Sequence, residues 1–306
     1  MKILITGAGG MLGTDLASLL SQKFNVSGVG RSPAPHLSIP YQQLDLAERQ
    51  AVFDFWQIHK PELVFHAAAM TDVDGCETRP HEAMRNNSEA TKNVTDACNR
   101  FGGKLIFFST DYVFDGQKKG EYVEEDTIQP LNIYGETKAL AEKYIRENSK
   151  QYAIFRISWL YGLRGKSFPR TMLERGATQK QFQVVSDQIG RPTYTRDIAK
   201  AFLDILSSNK DLFGQSAGEV YHLTNQGQAS WADFASFILT AAYDGGITVT
   251  RITSQEFSRP AKRPKNSLLS IKKAQEKLGL SLRPWREAVV QFMNEIGIPR
   301  KFSEVS

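Results

Sequence analysis

Lys2-Ile3-Leu4-Ile5-Thr6-Gly7-Ala8-Gly9-Gly10-Met11-Leu12-Gly13 opens the chain and decides how the rest is read. Its first five residues form a short apolar strand run. The glycine turn then passes directly into a helical pattern carrying Met11, Leu12, Leu16, Leu19 and Leu20. In a Gly7-x-x-Gly10-x-x-Gly13 turn, Gly7 permits the tight bend, Gly10 lets backbone approach a pyrophosphate, and Gly13 lets the helix lie close to the strand. The N-terminus of the helix then faces an anion. The spacing is looser than G-x-G-x-x-G, so an ordinary strand-to-helix turn is the competing reading.

Strand and helix patterns alternate through the first half, as in a parallel sheet covered by helices. A second strand, Phe24–Val29, precedes Gly30-Arg31-Ser32. An acidic residue at Gly30 would hold a ribose 2′-hydroxyl, whereas Arg31 can bind a 2′-phosphate. NADPH is therefore the favoured cofactor, NADH the alternative, and a solvated loop arginine the plain reading. A helix from about Ala47 to His59 leads to the strand Glu62–Phe65, which runs into His66 and the small residues Ala67, Ala68 and Ala69. A long helix from about His81 to Phe101 carries Asn86 and Asn87, and the strand Lys104–Phe108 delivers Ser109 and Thr110 to its C-terminal end, where open parallel sheets bind ligands.

Asp115 to Asn132 reads as a polar surface loop leading to a helical run from Tyr134 to Glu147. Tyr134 and Lys138 are four residues apart and share one helix face. An ammonium near a phenol favours phenolate and brings proton donation closer to working pH. Tyr134 can then act as general acid to a carbonyl oxygen, with the Thr110 hydroxyl on the same oxygen. Alone, Y-x-x-x-K is a common helical accident; the glycine turn supplies its context. After a strand from Tyr152 to Ile157 the alternation loosens. Helices are expected near Phe168–Gly176, up to Leu206, near Trp231–Ala242 and near Pro284–Ile296, with a short strand near Val220–Leu223.

The fold expected is α/β: a Rossmann-type doubly wound parallel sheet with a smaller C-terminal substrate-binding lobe built from interleaved segments. Residues 1–160 form the NADP(H)-binding part, with return segments near 182–210, and residues 161–306 form mainly the substrate lobe. The 306 residues suffice for a sizeable core. Two cysteines, Cys76 and Cys98, are too few for a disulfide framework. No apolar stretch approaches the ~20 residues needed to span a bilayer, and no basic leader precedes the first strand, so a cytoplasmic protein is expected. A net charge of +5 with dispersed basic residues suits an anionic nucleotide ligand; a basic face for nucleic acid is not apparent. No His/Cys/Asp cluster has metal-ligand spacing.

Four further stretches carry a resemblance: Ser109-Thr110-Asp111-Tyr112-Val113-Phe114-Asp115-Gly116, Pro130-Leu131-Asn132-Ile133-Tyr134-Gly135-Glu136-Thr137-Lys138, Asp187-Gln188-Ile189-Gly190-Arg191-Pro192-Thr193 and Arg263-Pro264-Lys265-Asn266-Ser267. With these in order, the chain resembles the extended short-chain dehydrogenase/reductase superfamily and, within it, the dTDP-4-dehydrorhamnose reductase family, nearly end to end. The resemblance implies Thr110, Tyr134 and Lys138 as the catalytic triad, with Lys138 also on the nicotinamide ribose. It places Gly7, Gly10, Met11, Leu12 and Gly13 at the pyrophosphate, Asp45 and Leu46 at the adenine, and Ala67, Ala68 and Ala69 on the ribose side, with Ser109 among the cofactor contacts. Asp111 and Trp159 would contact the sugar, and Arg259 and Arg263 the nucleotide end of a dTDP-linked substrate. Asn87 matches an asparagine beneath the active site, or is a helix-face amide. A homodimer is the oligomer such relatives suggest. Tyr112 stands where the related dehydratases carry a glutamate, which disfavours dehydration. Met70 and Ser167 depart from the usual pattern, so another ketosugar or nucleotide carrier is an alternative substrate. A non-catalytic regulatory subunit, like the beta subunit of methionine adenosyltransferase, is the alternative of a different class.

Overall fold

The computed structural model describes residues 1–298 apart from 209–211, 217 and 244. Ile3, Leu4 and Ile5 are all buried, as a strand must be when helices cover both faces of its sheet. That strand, β1 (Lys2–Thr6), is an inner strand of a seven-stranded sheet. Around it lie β2 (Asn25–Gly30), β3 (Tyr41–Gln43), β4 (Leu63–His66), β5 (Lys104–Thr110), β6 (Tyr152–Ile157) and the strand Glu219–His222. From one edge the order is Glu219–His222, β6, β5, β4, β1, β2, β3, and every pairing is parallel. The chain builds outward from β1 to β3 and then crosses back to β4. The crevice beyond the C-terminal ends of β1 and β4 is therefore the place where the direction of winding reverses, the usual ligand site of such sheets.

Helix α1 (Met11–Leu20) and the helix Thr195–Ser207 cover one face. Phe202 from the latter meets Phe65, Phe108 and Phe155 edge-on at 5.1, 5.7 and 5.0 Å. Burying one such side chain stabilises the fold by roughly 1.5–3 kcal/mol, so this contact does much to fix the helix to the sheet. The other face is covered by α2 (Arg49–His59), α5 (Ala90–Phe101) and α6 (Ile133–Asn148), through Trp56, Val94 and Ile145 among others. The helix Lys272–Leu278, with Leu280 and Leu282, also returns to the first of these cores.

A separate core joins the helices Phe168–Gly176, Trp231–Ala242 and Trp285–Glu295 around the fully buried Trp285. Its two-stranded sheet pairs Gln181–Val185 with Thr248–Ile252 in parallel. Phe182 and Val184 are buried here, so the chain returns to the large sheet from Thr195 onward rather than from 182. Residues 299–306, assigned by sequence to this lobe, lie outside the described residues.

The long helix expected over His81–Phe101 is present from Pro80 to Phe101, with a π-helical turn inside it and a separate short helix before it. α3 (Val73–Thr78), capped by Asp72 on the Gly75 N–H at 3.0 Å, ends at Arg79 because Pro80 disfavours a helical residue before it. α4 (Pro80–Met84) restarts with proline at its first turn, and a π-helical turn, Arg85–Glu89, follows before α5. Three short elements carry too little apolar pattern to be legible: edge strand β3, the strand Thr248–Ile252 and the helix Lys272–Leu278. Cys76 and Cys98 are free and buried. Among the described residues no helix is long and apolar enough to cross a membrane.

Candidate active site

The glycine turn folds into a cleft of about 310 Å³ at the crevice. Gly7 has φ +66°, and a Cβ there would lie 2.7 Å from the Ala68 Cα, so both conformation and space require glycine. A Cβ on Gly13 would meet the Gly7 carbonyl at 2.1 Å, which is why the first turn of α1 can sit against the strand end. Gly7, Gly10, Arg31, Asp45 and Leu46 line the cleft, with Ala67, Ala68 and Ala69 opposite. Gly13 shapes the turn without lining the cleft. Leu12 points into the core, and Met11 turns toward Gly162, whose Cβ would stand 2.8 Å from its Cγ.

Arg31 donates from Nη1 to Asn86 Oδ1 at 2.9 Å. Asp45 accepts from the Ala47 N–H at 3.0 Å and from Arg85 at 2.9 Å. Burial alone would raise its carboxyl, but those two donors and the nearby arginines hold it below the usual range. Asn87, fully buried, joins two walls: its Oδ1 accepts from the Met70 N–H at 2.7 Å, and its Nδ2 donates to Met70 O at 3.2 Å and Thr137 Oγ1 at 2.9 Å. Thr137 in turn bonds the Tyr134 carbonyl at 2.8 Å. The amide therefore ties the segment after β4 to the turn of α6 that bears Tyr134.

α6 begins where it does because Asn132 accepts from the Gly135 N–H at 2.8 Å, a cap worth ~1 kcal/mol. This puts Tyr134 in the first turn and Lys138 one turn on, at the end of β5. Tyr134 lies close enough to Thr110 for that hydroxyl to oppose the rise of its pKa, while Thr110 Oγ1 itself donates to Asp111 Oδ1 at 3.0 Å and accepts from the Tyr112 N–H at 3.2 Å. Tyr112 packs edge-on against Tyr134 with centroids 5.9 Å apart. Ser109 is buried at the same strand end, with no hydrogen-bond partner for its Oγ among the described residues.

The electrostatics correct one expectation. Burial drives the Tyr134 phenol well above its ordinary value, with the Thr110 hydroxyl opposing and Asp111 adding to the rise. Lys138 does not lower it. The lysine is itself buried, with Nζ 3.9 Å from the Phe107 ring centre, and burial brings its ammonium down to about 7 despite Glu142. Burial likewise pushes the Asp111 carboxyl up to about 7, with the Ser267 and Thr110 hydroxyls opposing. His66, bonded to Thr6 and Thr91 at 2.6 and 2.9 Å, is held neutral by burial and by Lys138, its pKa brought down to about 3.

A larger cavity of about 1080 Å³ opens toward the second core. Arg175, Arg259, Lys262, Arg263 and Lys265 line it, with the carboxylate of Asp115 beside them. Arg263 pairs with Asp74 of α3 at 3.0 and 3.2 Å, Arg259 reaches the same carboxylate at 3.4 Å, and the Ala261 N–H donates to it at 3.1 Å. Asp74, unmarked by any sequence signal, thus pins this segment across the crevice. Gly116 packs on Pro264, bringing the first and last of the four sequence stretches together. Trp159 takes a left-handed φ of +47° and stacks on Trp231 at 3.6 Å, with Gly190 too close to admit a Cβ. A strained backbone of this kind costs ~1–3 kcal/mol. Trp231, not Trp159, lines the cavity.

The model of the RmlD substrate binding domain family matches residues 1–298. A dTDP-4-dehydrorhamnose reductase of Burkholderia thailandensis is 36% identical, covering 94% of this chain and 97% of its own. Among solved structures, a dTDP-4-dehydrorhamnose reductase of Clostridium acetobutylicum superposes with a TM-score of 0.85 at 35% identity, over 97% of this chain and 99% of that one. That of Bacillus anthracis, in complex with NADP, gives 0.83 at 32% identity over 96% and 99%.

Proposed function

This chain belongs to the RmlD substrate binding domain family, and on that premise we propose that it is an NADPH-dependent oxidoreductase that reduces the C4 ketone of a nucleotide-linked 4-keto-6-deoxysugar. The substrate we assign is dTDP-4-dehydro-L-rhamnose and the product dTDP-L-rhamnose, in keeping with the activity named for its relatives. The observation that carries the reading is the placement of Thr110 at the end of β5 next to Tyr134 in the first turn of α6, with Lys138 one helical turn along and the glycine cleft beside them.

The cleft fits a dinucleotide. Gly7 leaves the space a Cβ would fill, Arg31 brings a cation to the end of β2, and the buried Asn86 Nδ2 has no partner among the described residues. Gly7, Gly10 and the N-terminus of α1 would hold the pyrophosphate, Ala67–Ala69 and Lys138 the riboses, and Arg31 a 2′-phosphate. Bound NADPH supplies the hydride that C4 receives. The protein supplies the proton: Tyr134, kept protonated by burial, passes it from Oη to the C4 oxygen, while Thr110 Oγ1 turns its proton from Asp111 to donate a hydrogen bond to the same oxygen. The basic cavity suits the diphosphate and base of the substrate, and Trp231, backed by Trp159, suits its sugar.

The test is NADPH oxidation by the purified protein with dTDP-4-keto-6-deoxy-L-mannose, NADH in parallel and the product identified by NMR. Formation of dTDP-L-rhamnose supports the assignment. Turnover of a different ketosugar alone corrects the substrate, and NADP⁺ binding without turnover of any ketosugar overturns the enzymatic reading in favour of a binding subunit.

A further inference from the structure

The π-helical turn sends three consecutive side chains to three different loops: Arg85 to Asp45 and Glu48, Asn86 to Arg31, and Asn87 to Met70. Two of these contacts brace the walls. The third is of another kind, because its partner is the cation at the end of β2.

We propose that Asn86 sets the preference for a 2′-phosphorylated cofactor, by orienting the Arg31 guanidinium without neutralising it and by donating its own Nδ2 to the same anion. The inference rests on the NADPH reading above. Two independent observations carry it. First, Arg31 is held at 2.9 Å by a neutral amide oxygen, although Asp45 lies close enough to feel its charge. Both Asp45 oxygens are engaged, one by the Ala47 N–H and one by Arg85, so the acid of the cleft is committed elsewhere. An arginine bonded to a carboxylate would present little net charge to a phosphate; one bonded to an amide keeps all of it. Second, Asn86 is 8% exposed, lines the cleft beside Gly30 and Arg31, and its Nδ2 has no hydrogen-bond partner among the described residues. A buried amide N–H left unbonded is costly, and a phosphate oxygen at this place would satisfy it. The π turn carries this arrangement: from consecutive positions Asn86 turns to Arg31 and Asn87 to Met70.

Calorimetric titration of the purified protein with 2′,5′-ADP and with 5′-AMP measures the preference directly, without turnover. Arg31→Ala should lower the ratio of the two affinities by ~10–100-fold, the worth of a lost charge-assisted bond. Asn86→Asp, nearly the same in shape, should lower it comparably by pairing with Arg31, and Asn86→Ala by a smaller factor. A general loosening of the fold would weaken both ligands and leave the ratio unchanged. If Arg31→Ala collapses the preference while both Asn86 variants keep it, the role of Asn86 is refuted and the NADPH reading stands. If Arg31→Ala leaves the ratio intact, the 2′-phosphate assignment itself fails, and the inference with it.

Discussion

The glycine-lined cleft and the arginine-lined cavity differ in what makes their walls. The cleft is bounded largely by backbone and by residues of one carbon or none, from the turn after β1 and the alanines after β4. The cavity is bounded by long side chains drawn from Asp115 to Lys265, and its cationic segment is held in place by a carboxylate on α3. A wall of backbone tolerates no added methyl group, and here only its Arg31 end depends on an oriented side chain. A wall of side chains tolerates change by degrees, yet each charge must be positioned by another. Recognition of a common cofactor fits the first kind, and selection among substrates fits the second.

The largest effect is expected where the two regions meet. Tyr134→Phe should reduce turnover by ~10²–10⁴ while NADP⁺ affinity stays within experimental error; near-normal rates would remove the phenol from the chemistry. Next comes the lysine behind it. Because the Lys138 pKa falls from 10.5 to about 7 on folding, the unfolded chain holds more protons between those values, and stability rises with pH across that window. The cost of burying the charge is felt in full below pH 7 and fades toward 10.5. Lys138→Met should therefore stabilise the cofactor-free protein by roughly 2–5 kcal/mol at pH 6.5, with the gap narrowing at pH 9.5. Urea unfolding at both values checks this, and a pH-independent difference would contradict it. Asp111, which also titrates near 7, is common to both proteins and cancels in the comparison.

Gly7→Ala sharpens the contrast between the walls. It should cost ~1–3 kcal/mol in unfolding free energy for its left-handed backbone and weaken NADP⁺ binding, because the new methyl would stand against Ala68. Unaltered binding in a calorimetric titration would show that the cleft can yield. Arg263→Ala should give the smallest change, a rise of ~10-fold in KM for the nucleotide sugar with kcat little altered. An equal loss in NADP⁺ affinity would mean that the cavity and the cleft are not separate sites.

Much of the cleft was legible because its parts lie at the ends of apolar strand runs. Lys2–Gly13 spells strand, turn and helix in consecutive residues, and Tyr134 and Lys138 share a helix face by spacing alone. The cavity was less so. Trp159 was placed against the sugar, whereas the fold turns it onto Trp231 and leaves the latter facing the cavity. Arg259 and Arg263 were singled out by the resemblance, but their common partner Asp74 lies 185 and 189 residues away. The π turn had no signature beyond an Asn-Asn pair, because Arg31 and Met70, the partners of those two amides, come from other loops.

The sequence by itself determined the strand order's starting point, the need for glycine at the turn, the pairing of phenol with lysine and the cationic character of the nucleotide end, because each depends on residues that are close in the chain. Only the tertiary structure decided the protonation of those groups. Burial, which no local pattern reports, raised the Tyr134 phenol and lowered the Lys138 ammonium against the simple expectation of a cation beside a phenol. Desolvation depends on everything packed around a side chain, and that is a property of the whole fold.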